Sequence, residues 1–130
     1  MDLNRISSEI ISSAVAVHKE LGPGLLESVY QSCMIVELHQ RGFSFESEVA
    51  FPVLYRGIKV NEEGFRLDLL VEKCVIVELK SVEKILPVHQ KQLLTYLRLT
   101  NKPLGLLINF NATKLVDGIT RIVNSCHSQT

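Results

Sequence analysis

Arg66-Leu-Asp-Leu-Leu-Val-Glu-Lys-Cys-Val-Ile-Val-Glu-Leu-Lys80 is the stretch that decides how this chain is read. Residues 66–71 and 75–80 are leucine-rich or β-branched, with charged residues at alternate places, and Glu72-Lys73-Cys74 lies between them. That pattern predicts two strands joined by a tight hairpin. A three-residue loop pairs 71 with 75, 70 with 76, 68 with 78 and 66 with 80. Asp68 and Glu78 then stand opposite each other on one face, with Cβ atoms roughly 4.5–5.5 Å apart. Lys80, two residues beyond Glu78, shares that face. Two carboxylates and an amine on rigid strands make a candidate divalent-metal site.

Alternating charges on a strand commonly mean a solvated sheet face. Two details argue otherwise. Carboxylates set opposite each other repel, so the hairpin needs a cation or Lys80 to compensate. The neighbours Leu67, Leu69, Leu70, Val71, Val75, Ile76, Val77 and Leu79 also point to a core sheet covered on both faces. Carboxylates buried there are costly without a partner.

At 130 residues and 46% hydrophobic, the chain is expected to form one domain over residues 1–130. Cys33, Cys74 and Cys126 match no metal-binding or disulfide spacing and read as free or buried thiols in a reducing compartment. The first twenty residues carry Asp2, Arg5, Glu9, Lys19 and Glu20, unlike a signal peptide, and no apolar run reaches membrane-spanning length. A cytoplasmic protein with no membrane partner is expected. Net charge is zero but uneven. Residues 1–80 hold eight Lys/Arg against twelve Asp/Glu (−4), and residues 81–130 hold six against two (+4). A polyanion is expected to dock on Lys84, Lys91, Arg98, Lys102, Lys114 and Arg121 while a metal neutralises the acidic cluster.

Around the hairpin, Ile6, Ile10, Ala14, Val17 and Leu21 predict an amphipathic helix over 3–21, stopped by Gly22-Pro23-Gly24. A second helix is expected over 25–40 with Leu26, Val29, Cys33, Val36 and Tyr30 inward and Gly42 near its end. Residues 45–55 read as a strand with Pro52 marking an edge or bulge, and 58–60 as a short separate strand after Arg56-Gly57. Pro87 opens a third helix to about 99, with Val88, Leu94 and Leu97 as its apolar stripe. Residues 104–110 read as a buried strand, and 119–124 as a last strand or helix. A helix between neighbouring strands implies a parallel crossover, hence an α/β domain with a mixed central sheet flanked by helices.

Two weaker patterns complete the inventory. His89, Gln92 and Tyr96 share one face of the third helix, as the polar side of any amphipathic helix would. Glu27 and Tyr30 follow Gly24 as G-x-x-E-x-x-Y, where a first-turn glutamate also suits the helix dipole.

Taken in order, Gly24-Leu-Leu-Glu-Ser-Val-Tyr30, Arg66-x-Asp68, Glu78-Leu-Lys80, His89-x-x-Gln92-x-x-x-Tyr96 and Gly105-Leu-Leu-Ile-Asn-Phe110 resemble the GxxExxY family over roughly residues 5–124. That family is similar to the PD-(D/E)xK nuclease superfamily, particularly its RecB-like branch, with Leu67 where the proline of the name would stand. The resemblance implies a restriction-endonuclease-like fold. It implies a catalytic set of Asp68, Glu78, Lys80, Gln92, Tyr96 and Glu27. The metal ligands it implies are Glu27, Asp68, Glu78 and the Leu79 carbonyl, and the substrate contacts Arg66, His89, Gln92 and Tyr96.

The residue types suit that chemistry. Asp68 and Glu78 are hard oxygen donors for Mg²⁺, with Mn²⁺ as an alternative. Glu27 would complete the shell or hold a second ion. Lys80 would orient hydroxide or act as base. The leading expectation is a metal-dependent nuclease acting on DNA rather than RNA. The alternative is a non-catalytic nucleic-acid-binding or protein-interaction module that keeps the fold. A hydrolase for small phosphoesters is disfavoured, since no segment forms a dedicated small-molecule pocket. So small a core suggests a homodimer or a partner protein, with the N-terminal helix as the candidate surface.

Overall fold

The computed structural model describes residues 2–127. Asp2 caps the first helix, α1 (Leu3–Leu21), by accepting the Asn4 N–H at 3.0 Å and the Arg5 N–H at 3.4 Å. This satisfies donors that a helix start otherwise leaves free. Ile6, Ile10, Ala14 and Val17 turn inward as their spacing requires, and Gly22 ends the helix at φ +73°.

The second helix, α2 (Glu27–Gln40), buries Tyr30 as expected but not the rest of the expected stripe. Tyr30, Met34 and Leu38 are buried, whereas Leu26, Val29 and Val36 are exposed and Cys33 is half-buried. Both stripes have helical spacing, so periodicity alone could not choose between them. The Tyr30 side wins because its hydroxyl finds partners: it donates to the Gly22 carbonyl at 2.6 Å and accepts the Leu25 N–H at 3.1 Å. Its ring stacks on Phe110 at 4.4 Å between centroids. Burying a tyrosine without such partners would be costly.

Five strands follow: β1 (Phe45–Tyr55), β2 (Ile58–Val71), β3 (Val75–Lys80), β4 (Leu104–Asn109) and β5 (Ile119–Val123), in that spatial order. The separate strand expected at 58–60 is instead the start of β2, which runs unbroken to Val71. Its register with β1 slips at Phe51, which pairs with both Phe65 and Gly64, and again around Val53. Gly64 has φ +59°, and a Cβ there would strike the Phe51 carbonyl. This bulge let one strand read as two. Pro52 sits in the irregular part of the edge strand, where no ladder donor is needed.

β3 and β4 are parallel and joined by a third helix, α3 (Pro87–Thr100); the other neighbours are antiparallel. The sheet is covered on both faces. α1 and α2 pack on Leu69, Val71, Val77, Leu79, Leu106 and Ile108, while α3 sets Leu93 and Leu97 on Leu70, Ile76 and Leu107. Val88, expected inside, is exposed, and Leu93 takes the buried place. Most of the apolar face of α1 is taken up in this core, with Val15 and Leu21 left partly exposed. Among the described residues the three cysteines are free, and no helix is long and apolar enough to cross a membrane.

Candidate active site

The hairpin forms with the register a three-residue loop demands: Val71 opposite Val75, Leu70 opposite Ile76 and Leu69 opposite Val77. The Cys74 N–H closes the turn on the Val71 carbonyl at 3.1 Å, and Glu72 and Lys73 take left-handed φ values of 53° and 57°. Beyond Leu69 and Val77 the two acids take over from the main-chain ladder. Glu78 Oε2 accepts the Asp68 N–H at 2.8 Å, and Asp68 Oδ2 accepts the Leu79 N–H at 2.8 Å.

Each carboxylate thus spends one oxygen on the opposite strand, leaving Asp68 Oδ1 and Glu78 Oε1 for a further partner. Glu78 is buried, 7% exposed, and Asp68 half-buried. Burial, then the Asp68 charge, pushes the Glu78 carboxyl up from 4.5 to about 8. Burial also raises Asp68, against the Leu79 hydrogen bond and the Lys80 charge, which lower it.

Glu27 reaches this site from α2. Its Oε2 accepts the Ser81 N–H at 3.2 Å, one residue past Lys80, and Ser81 Oγ donates to the Leu25 carbonyl at 2.6 Å. Gln31 Nε2 donates to the Asp68 carbonyl at 3.1 Å. The G-x-x-E-x-x-Y spacing therefore has a physical reading. Gly24 turns at φ +98°, Tyr30 pins that turn, and Glu27 is delivered to the end of β3. Tyr96 also belongs here: its ring stacks on Phe65 at 4.4 Å, and burial followed by the Glu78 and Asp68 charges raises its phenol. Gln92 lies exposed one turn earlier on α3.

Arg66 and His89 are engaged elsewhere. The Arg66 guanidinium pairs with Glu63 Oε1 at 2.6 Å, and His89 Nδ1 accepts the Leu86 N–H at 3.0 Å, fastening the start of α3. The basic half of the sequence is not one surface either. Lys84, Lys91 and Arg98 lie exposed in and just before α3, but Arg121 donates to Ser7 Oγ and Asn4 Oδ1 beside α1.

Two residues of the site escaped the sequence. Glu48 falls between the Ser47–Leu69 and Val49–Leu67 pairs of β1 and β2, beside Asp68, at φ +51°. Its charge raises both acids. The only signal was the alternation Glu46-Ser47-Glu48 on a strand whose register the bulge concealed. Asn109, at the end of β4, is buried. Its Oδ1 accepts the Val82 N–H at 3.1 Å and the Asn111 N–H at 3.2 Å, and its Nδ2 donates to the Val82 carbonyl at 2.9 Å. It locks the segment that follows Lys80.

Among the described residues no group of three or more His, Cys, Asp or Glu converges as a metal cage. The donor chemistry at Asp68 and Glu78 nevertheless fits a hard divalent ion. A buried and a half-buried carboxylate whose ionisation is suppressed regain it when a cation enters, and Mg²⁺ needs only one or two protein carboxylates besides water and substrate oxygens.

A mixed five-stranded sheet between helices, with this acid pair where two central strands part, is a restriction-endonuclease-like α/β fold. A model described as the PD-(D/E)XK nuclease superfamily matches residues 4–122. The chain belongs to that superfamily. Comparisons with curated proteins and with solved structures found no match. Membership gives the class of activity, a nuclease, and nucleic acid as the class of substrate; nucleases of this kind generally use divalent metals.

Proposed function

We propose that this chain is a Mg²⁺-dependent nuclease that hydrolyses phosphodiester bonds of DNA, with Mn²⁺ as a substitute ion. The observation that carries the reading is the Asp68–Glu78 pair, held on two strands by main-chain donors, with burial and mutual repulsion only partly offset by those donors and Lys80. Asp68 Oδ1 and Glu78 Oε1 are the ligands. The Leu79 carbonyl is a third, since the N–H and C=O of an extended residue project to the same edge and the Leu79 N–H faces Asp68. Glu27 joins from the Ser81 side. Bound there, the ion would neutralise phosphoryl charge and make a water more acidic.

Lys80 orients the attacking water and stabilises its developing negative charge. Gln92 and Tyr96 hold the phosphate from α3, whose exposed Lys91 and Arg98 suit a polyanion along that side. The G-x-x-E-x-x-Y and Q-x-x-x-Y spacings support placement in the RecB-like branch. The test incubates wild type and Asp68→Asn with labelled single-stranded, duplex and branched DNA and with RNA, in Mg²⁺ or Mn²⁺. Metal-dependent cleavage of DNA by wild type alone is expected. Wild type that neither binds Mg²⁺ by calorimetry nor cuts any substrate overturns the reading.

A further inference from the structure

A column of three rings leads away from the acid pair. Tyr96, near enough to feel the Glu78 and Asp68 charges, stacks on Phe65 with 4.4 Å between centroids and 8° between planes. Phe65 stacks in turn on Phe51 at 5.8 Å and 13°. The bulge at Gly64 sets these last two rings side by side, because Phe51 pairs with both Phe65 and Gly64. The column does not end inside the core. Phe51 and Phe65 are half-buried and line a groove of about 310 Å³ between the β1–β2 ribbon and α3. Leu54 and Leu99, 61% and 56% exposed, are among its apolar walls, and the exposed Arg98 joins the lining.

Arg98 differs from every other arginine. Among the described residues it alone has a guanidinium without a partner. Arg41 and Arg66 form ion pairs, Arg121 is hydrogen-bonded to Ser7 and Asn4, and Arg5 and Arg56 lie over aromatic rings.

The lining selects its occupant. Among the described residues it holds no acid, and it sets aromatic faces and aliphatic walls beside one free cation. A flat apolar group that carries an anion matches both features. A nucleotide is such a group, since every base has a π face and its backbone a phosphate. Position agrees: Phe65 precedes Asp68 by three residues on β2, about 10 Å at 3.4 Å per residue. A strand with one phosphate at the acids therefore passes the groove with a neighbouring nucleotide. In an intact duplex both faces of a base are already stacked, so only an unpaired base can enter without unstacking.

We propose that this groove holds an unpaired base of the substrate, stacked on Phe51 with its phosphate at Arg98, so that the chain takes single strands in preference to duplex. The role of that base as substrate rests on the nuclease reading of the acid pair; its binding needs no metal.

Fluorescence anisotropy with labelled oligo(dT) and with an oligo(dA)·oligo(dT) duplex, in EDTA so that nothing is cut, tests the binding. Wild type is expected to hold the single strand at least about tenfold tighter. Phe51→Leu keeps an apolar side chain but loses the ring, and should weaken oligo(dT) binding at least about fivefold, while Phe51→Tyr should retain it. Arg98→Gln should weaken it and flatten its salt dependence. Melting curves should show all three variants folded. A strand carrying 5-iodouracil, irradiated on wild type, should cross-link to Phe51 in the tryptic peptide 42–56 or to Phe65 in 60–66. Equal affinity of wild type for strand and duplex overturns the proposal. So does oligo(dT) binding untouched by Phe51→Leu, or cross-linking confined to other peptides. A dimer in sedimentation that Phe51→Leu breaks would give the groove to a second copy, and overturns it too. Wild type that binds single strands through Phe51 but cuts nothing in Mg²⁺ upholds the groove and overturns the nuclease reading instead.

Discussion

Asp68 and Glu78 each hold the other's strand: the Asp68 main chain donates to Glu78 Oε2 at 2.8 Å, and the Asp68 carboxylate accepts from Leu79, next to Glu78, at 2.8 Å. The same contacts that fix the geometry keep two acids side by side in a poorly solvated place. Without a cation the site carries a conflict between structure and charge, as functional sites commonly do.

That conflict has a pH signature. The folded value of Glu78 near 8 exceeds its ordinary 4.5, so the folded, metal-free chain keeps a proton that the unfolded chain releases in that interval. The contribution to stability is complete below the lower value and is lost as pH rises towards the upper one. The loss is on the order of a few kcal/mol. Melting curves in EDTA from pH 5 to 9 should show Tm falling across the window, and saturating Mg²⁺ should recover most of the loss at pH 9. A Tm that is level with pH would mean the acids are not in conflict.

Glu78→Gln should separate stability from function. The amide oxygen can still accept the Asp68 N–H, while the buried charge is gone. Tm at pH 9 in EDTA should exceed that of wild type, and added Mg²⁺ should no longer raise it. Cleavage should drop at least about a hundredfold, because several kcal/mol of charge stabilisation is removed. A variant that melts lower than wild type at pH 9 would contradict the assignment.

Tyr30→Phe keeps the stack on Phe110 but removes the hydroxyl that ties Gly22 to Leu25. The expected cost is about 1–2 kcal/mol in urea unfolding. Since the same turn delivers Glu27 to Ser81, Mg²⁺ affinity measured by calorimetry should weaken as well. Unchanged affinity would make the tyrosine a purely structural residue.

Asn109→Ala strands the Val82 N–H and carbonyl and the Asn111 N–H in a largely enclosed place. It should cost about 2–4 kcal/mol and lower the cleavage rate through a looser Lys80 end of β3. Asn109→Asp, which can still accept both N–H groups, should recover part of the stability. Equal losses in the two variants would argue against the clamp.

The hairpin that carries Asp68 and Glu78 is legible in the sequence because its information is local. A three-residue loop and a two-residue side-chain period are enough to set Asp68 against Glu78 and Lys80 beside it. The parallel β3–β4 crossover followed from a helical segment between two apolar runs, and the inward face of α1 from a single unambiguous stripe. α2 carries two such stripes, so periodicity leaves its inward face ambiguous. The stack on Phe110, distant in the chain, and the Gly22 carbonyl, eight residues before Tyr30, favour Tyr30 over Leu26.

The same distinction separates the two shells of the site. Asp68, Glu78 and Lys80 were given by residue order, since neighbours on a hairpin need no long-range contact to meet. Glu48, Asn109 and the delivery of Glu27 to Ser81 were decided by folding. They rest on a bulge at Gly64, a buried strand end and a tyrosine-pinned turn. The turn pinned by Tyr30 is local, but the Glu27–Ser81 and Asn109–Val82 contacts exist only when segments distant in sequence close on one another, and chain order carries no record of that closure.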